Sequence, residues 1–257
     1  MIELREDEGI TWLTMAAGKA NAIDGPFLDA LAAALGRVQR ERPRALLITG
    51  SGTTFCAGLA LPTMVELTRD ELRDVMQRFT DVMRQVLELP LPTVAAINGP
   101  AIAGGCVLAL MCDQRVMVGD GTKGAPRIGL NESQLGIGLP AVVVEVARHK
   151  LPPTSFVPVA LAGALFEATR ALDFGLVDEV TTPAELHDRA MTRARAMTAS
   201  GPEAYAQIKR AWNRPVLDAL TGTDAHALEA WLDTWFSADG QARLRAIVSW
   251  LKKPART

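Results

Sequence analysis

The segment Ile128-Gly-Leu-Asn-Glu-Ser-Gln-Leu-Gly-Ile137 sets one carboxylate, Glu132, among residues that are otherwise apolar or neutral. Such surroundings penalise the ionised form and push a carboxyl pKa upward, toward the range of a working base. Two upstream segments offer donors for the negative charge that proton removal creates. In Phe55-Cys-Ala-Gly-Leu-Ala60, Gly58 permits a backbone shape that turns the N–H of Leu59 toward a pocket. In Ile102-Ala-Gly-Gly-Cys-Val-Leu-Ala-Leu110, two glycines open an apolar helix whose first N–H groups have no partner inside the helix. Those groups and the helix dipole favour an anion in front of them. Each segment taken singly also has an ordinary reading: a solvated loop glutamate, a tight turn, a glycine pair that lets a helix pack closely.

The elements that must position these residues alternate through the first half of the chain. Apolar alternation around Gly9 predicts a hairpin over 2–5 and 10–15. Asp24 and Pro26 open a helix to about residue 40, and a second amphipathic helix spans 69–88, stopped by Pro90 and Pro92. Short apolar strands are expected at 45–49, 93–97 and 114–118, with a buried helix over 103–112. Beyond residue 141 the pattern predicts helices at 141–149, 167–174, 184–199, 203–213, 217–236 and 240–252, and one strand at 176–180. Pro158 disturbs the stretch between Pro153 and Ala162, so a helix there starts late or kinks. The reading is α/β, with a core over residues 1–195 and a helical region over 196–257 that packs on the core or on a neighbouring subunit.

Composition excludes several classes of function. The 257 residues are 49% apolar with a formal net charge of −2, which supports a sizeable core and argues against a nucleic-acid surface. No apolar run reaches the length of a membrane span. The charged start and the Ala-Arg-Thr end fit no secretory, transit or peroxisomal signal, and Cys56, Cys106 and Cys112 suit buried thiols in a reducing cytoplasm. His149, His187 and His226 are too scattered for a metal cluster. Gly119-Asp-Gly-Thr-Lys-Gly124 has dinucleotide-loop spacing, but Ala125-Pro126 follows where a helix is needed, so it reads as a turn.

Taken together, Gly18-Lys-Ala-Asn-Ala22, Phe55-Cys-Ala-Gly-Leu59, Ile97-Asn-Gly-Pro-Ala-Ile-Ala-Gly-Gly-Cys106, Cys112-Asp113, the Glu132 loop and Gly175-Leu-Val-Asp-Glu-Val180 resemble the enoyl-CoA hydratase/isomerase (crotonase) superfamily. The resemblance runs over nearly the whole chain. It implies a spiral of ββα repeats followed by a helical C-terminal trimerisation region, giving a homotrimer or a dimer of trimers. It implies acyl-CoA thioester substrates, with CoA as part of the substrate and no separate cofactor or metal. By position it implies an oxyanion hole from the N–H groups of Leu59 and Gly104, CoA contacts at Lys19, Ala20, Ala57 and Leu59, and Glu132 as the catalytic residue. An acyl pocket is expected around Met64, Val107 and Leu139, with Val65 and Phe79 as further candidates, although core packing is the default for such side chains.

Two departures narrow the expected chemistry. Family hydratases carry a second glutamate directly after Gly-Gly-Cys, where this chain has Val107. The Ile-Gly-Leu-Asn-Glu-Ser-Gln-Leu-Gly-Ile segment resembles the loop of mitochondrial Δ3,Δ2-enoyl-CoA isomerases, whose catalytic glutamate matches Glu132. The leading expectation is therefore a Δ3,Δ2-enoyl-CoA isomerase that moves a proton from C2 to C4 through a dienolate. Other crotonase reactions (hydration or dehydration, thioester hydrolysis, decarboxylation) and a non-catalytic acyl-CoA-binding protein are the alternatives. Ala60 stands where the family often has Asp. Arg127 is either a modulator of Glu132 or a surface charge, and the basic end 252–256 is either a contact for a neighbouring subunit's CoA or a solvated tail.

Overall fold

A computed structural model of the chain describes residues 2–119, 125–221 and 225–252. The 119–124 turn and the basic end therefore fall largely outside the described residues. The first strands, β1 (Ile2–Asp7) and β2 (Ile10–Met15), form the expected antiparallel hairpin. Helix α1 (Gly25–Glu41) follows, with Asp24 Oδ1 accepting from Phe27 N at 2.8 Å and proline in the first turn. After β3 (Ala45–Gly50) come a short helix α2 (Leu61–Met64) and the long α3 (Arg69–Glu88). A reciprocal capping box between Thr68 and Glu71 starts α3, and its eight buried apolar residues recur at helical spacing. Next are β4 (Thr93–Ile97), β5 (Ala101–Ile102), α4 (Gly104–Met111) and β6 (Gln114–Val118).

The larger sheet has the order β1-β2-β3-β4-β6-β9, with β9 at Glu179–Thr181. Every pair beyond the hairpin is parallel. Alternating side chains sort to its two faces. Leu46 and Ile48 join the main core under α1, α3 and α4, whereas Ala45, Leu47, Val94 and Val116 pack with Ala190, Met191 and Ala194 of a later helix, α7 (Leu186–Met197). Burial on both faces explains why these strands read as continuous apolar runs.

The remaining elements are β7 (Arg127–Gly129), α5 (Ala141–Lys150), β8 (Phe166–Glu167), α6 (Ala168–Asp173), α8 (Pro202–Thr221), α9 (Ala225–Trp235) and α10 (Ala238–Leu251). A small sheet, β5-β7-β8, pairs segments of two or three residues and was invisible to periodicity for that reason. The strand expected at 176–180 begins instead at Glu179. Leu176 and Val177 are buried in a turn whose amides both donate to Ala171 O. The break expected near 214–216 does not occur: α8 continues through Pro215, because buried Asn213 donates to Leu87 O at 3.1 Å and buried Val216 anchors the next turn. Around Pro158 the chain forms a 3₁₀ turn (Pro153–Ser155) and a wide π turn (Val157–Leu161) rather than a regular helix. The C-terminal helices turn back on their own chain, with α9 against α3 and α10 against α2.

Candidate active site

A largely apolar cavity of about 1000 Å³ lies among α3, the start of α4, the Glu132 turn and the two last helices. Among the described residues Glu132 is the only carboxylate that borders it, and Lys19 the only cation. Of the residues singled out from sequence, Lys19, Ala20, Ala57, Leu59, Gly104, Val107 and Glu132 all border this cavity.

Two backbone segments meet at its floor. Cys56 pairs with Ala101, and Ile102 N donates to Cys56 O at 3.0 Å, which draws the Gly58 turn against the start of α4. Gly58 has φ +83°, and a β-carbon there would stand 2.8 Å from Ile102 O and 3.2 Å from Gly104 N, so only glycine fits. A β-carbon at Gly105 would lie 2.1 Å from Cys56 O, so that residue too must lack a side chain. Leu59 sits opposite Ile23 in a parallel bridge. Ile23 N donates to Gly58 O and Ala60 N to Ile23 O, both at 2.8 Å. That pairing uses the groups on either side of Leu59 and turns its own N–H away from Ile23. Ala103 holds φ 50° and ψ −117°, a conformation costly for a residue with a β-carbon, directly before Gly104 N–H. Among the described residues neither Leu59 N–H nor Gly104 N–H has a backbone acceptor.

Glu132 opens a 3₁₀ turn, Glu132–Leu135, and is 7% exposed. Burial pushes its carboxyl up to about 7, against a smaller lowering effect from its own backbone N–H. Oε2 has no hydrogen-bond partner among the described residues, and neither does Oδ1 of the adjacent Asn131, which also borders the cavity. Arg127 does not relieve Glu132. It is exposed and lies 3.9 Å from Glu167, so it is a surface charge. Ala60 borders the cavity without adding charge.

Two expected pocket residues are elsewhere. Met64, 1% exposed at the end of α2, packs into the main core, and Leu139 packs against the same core. Val65 likewise belongs to the core, whereas Phe79 does border the cavity, beside Met76 on α3. Sequence reasoning missed the other wall: Trp231 from α9, and Ile247, Trp250 and Leu251 from α10. The last three recur at helical spacing, and Trp250 is 69% exposed. That apolar stripe was the available signal, but nothing local says that it faces the chain's own cavity.

Comparison with known proteins bears on the family and the fold. The family model described as enoyl-CoA hydratase/isomerase matches residues 5–245. The chain is 31% identical over 206 residues to a putative enoyl-CoA hydratase/isomerase of Bacillus subtilis, covering 79% of this chain and 77% of that one. It is 33% identical over 169 residues to an enoyl-CoA isomerase/hydratase of Mycosarcoma maydis, covering 66% of this chain and 60% of that protein. The fold superimposes on human mitochondrial Δ3,Δ2-enoyl-CoA isomerase with a TM-score of 0.92 at 23% identity, over 98% of both chains.

Proposed function

The chain belongs to the enoyl-CoA hydratase/isomerase family, and from that premise we propose that it is a Δ3,Δ2-enoyl-CoA isomerase in which Glu132 is the sole acid and base. The supporting observation is that, among the described residues, a single buried carboxylate with an unpartnered oxygen borders a cavity where Val107 stands in the position of a second glutamate. Moving a double bond needs one such group. Glu132 Oε2 takes a proton from C2 of a 3-enoyl thioester. The electrons pass to the thioester oxygen, and the resulting dienolate is held by Leu59 N–H and Gly104 N–H. The protonated carboxyl then delivers its proton to C4, which leaves the conjugated 2-enoyl thioester and restores the carboxylate. Each well-aimed amide contributes about 3 kcal/mol to stabilising the oxyanion. A carboxyl near 7 accepts and releases a proton with similar ease at neutral pH.

Hydration asks for more. A water must be held and deprotonated while a second group protonates the neighbouring carbon, and Val107 can do neither. CoA enters as part of the substrate, along Lys19, Ala20, Ala57 and Leu59. The test offers the purified protein 3-enoyl-CoA and 2-enoyl-CoA in separate assays. The proposal predicts a conjugated product from the first and negligible water addition to the second. Hydration of the second without isomerisation of the first would overturn it.

A further inference from the structure

The backbone beyond Glu132 is tied to a helix more than ninety residues away in sequence. Gly138 N donates to Thr234 Oγ1 at 2.9 Å, and Trp231 Nε1 donates to Gly138 O at 2.9 Å. Both backbone polar groups of one residue therefore end on α9. Thr234 Oγ1 also donates to Trp231 O at 2.7 Å, which commits the hydroxyl proton to the helix and leaves a lone pair for Gly138 N–H. The connection to the carboxylate is short. Ile137 N, one residue before Gly138, donates to Glu132 O at 3.2 Å.

Helix α9 is in turn braced on α3. Arg69 reaches Glu229 at 2.8 Å and Asp233 at 2.6 Å, and Arg73 Nε reaches Glu229 at 2.6 Å. The same α3 supplies Met76 and Phe79 to the cavity. One path of ion pairs and hydrogen bonds thus runs from the cavity wall on α3 through α9 to the turn that carries the base. Thr234 itself does not border the cavity, whereas the Trp231 ring does.

We infer that Thr234 and Trp231 are positioning residues for Glu132, fixing through Gly138 where the carboxylate stands over the substrate. This inference rests on the proposed isomerase reading. Proton abstraction from carbon tolerates little misplacement, and a displacement of about 1 Å costs on the order of 10²-fold in rate.

The test compares Thr234→Val, Thr234→Ser and Trp231→Phe with wild type in turnover of 3-enoyl-CoA. Thr234→Val keeps the shape and removes the acceptor for Gly138 N–H. Its kcat falls about 10- to 100-fold, its KM stays within about twofold, and the acid limb of kcat/KM moves below its wild-type position as water reaches the carboxyl. Thr234→Ser restores the hydroxyl and with it the rate and pH profile. Trp231→Phe keeps an aromatic ring, loses the N–H and changes kcat in the same direction, so the inference stays testable should the valine variant fail to fold. A folded Thr234→Val with wild-type kcat and pH profile overturns the positioning role, as does a serine variant as impaired as the valine one. An inert wild type would instead bring down the isomerase reading and this role together.

Discussion

Two carboxylates, Asp113, which is half-buried, and Glu132, which is buried, have opposite surroundings. Asp113, 13% exposed at its side chain, accepts through Oδ2 from Thr93 N at 2.9 Å, Thr93 Oγ1 and Tyr205 OH at 3.0 Å, and Lys209 Nζ at 2.8 Å. Its charge is matched by a buried cation and spread over donors from β4 and α8. Among the described residues Glu132 has only its own N–H, and one oxygen is left without a partner. The first arrangement ties a helix to the sheet. The second leaves an ionised form that the fold penalises, which is how a carboxylate becomes basic enough to move a proton from carbon. The difference teaches that a carboxylate removed from water stays an ordinary ion when its donors are supplied and becomes a stronger base when they are withheld.

Replacing each residue's key group should separate the two roles. The largest effect is expected for Glu132→Gln, which keeps shape and removes the base. Isomerisation falls about 10³-fold or more, while circular dichroism and the elution volume stay those of wild type. Lys209→Met should do the reverse. It removes the cation hydrogen-bonded to Asp113 and costs about 3–5 kcal/mol of stability, read as a lower denaturation midpoint, while kcat per folded molecule is kept. Substantial loss of turnover in folded Lys209→Met would blur the distinction between the two centres.

The smallest effect concerns stability and pH. The folded carboxyl of Glu132 titrates at about 7, above its ordinary 4.5, so between those values the folded chain holds a proton that the unfolded chain releases. Its contribution is complete below pH 4.5, declines as pH rises and is lost above about 7. Glu132→Gln removes that dependence and should be the more stable protein at pH 8 by up to about 3 kcal/mol. Denaturant titrations of both proteins at pH 5 and pH 8 measure it, and parallel curves at the two pH values would show that the carboxyl is not perturbed by burial.

Legibility in the sequence followed the range of the interactions. The hairpin, α1, α3, β3, β4, α4 and β6 were readable because caps and periodicity are local. That Glu132, Leu59 and Gly104 meet at one cavity was readable because loop composition and glycine pairs mark unusual backbone demands, and because their order along the chain resembles a known family. The two-residue strands β5 and β8 carry no periodic signal at all. Helix α8 passes Pro215 on the strength of contacts to α3 that sequence does not display. The cavity wall was only partly legible for a related reason: Met64 and Trp231 are both apolar and both join the main core, and only the path of the chain decides that Trp231 also borders the cavity while Met64 does not.

The most direct measurement is the pH dependence of kcat/KM for 3-enoyl-CoA. In the proposed reaction the carboxylate form of Glu132 is the base, so the rate should rise with pH through one ionisation at about 7, where burial sets it. A rise centred near 4.5, the value of an ordinary solvated carboxyl, or a profile unchanged in shape in Glu132→Gln, would contradict the claim that a desolvated Glu132 moves the proton.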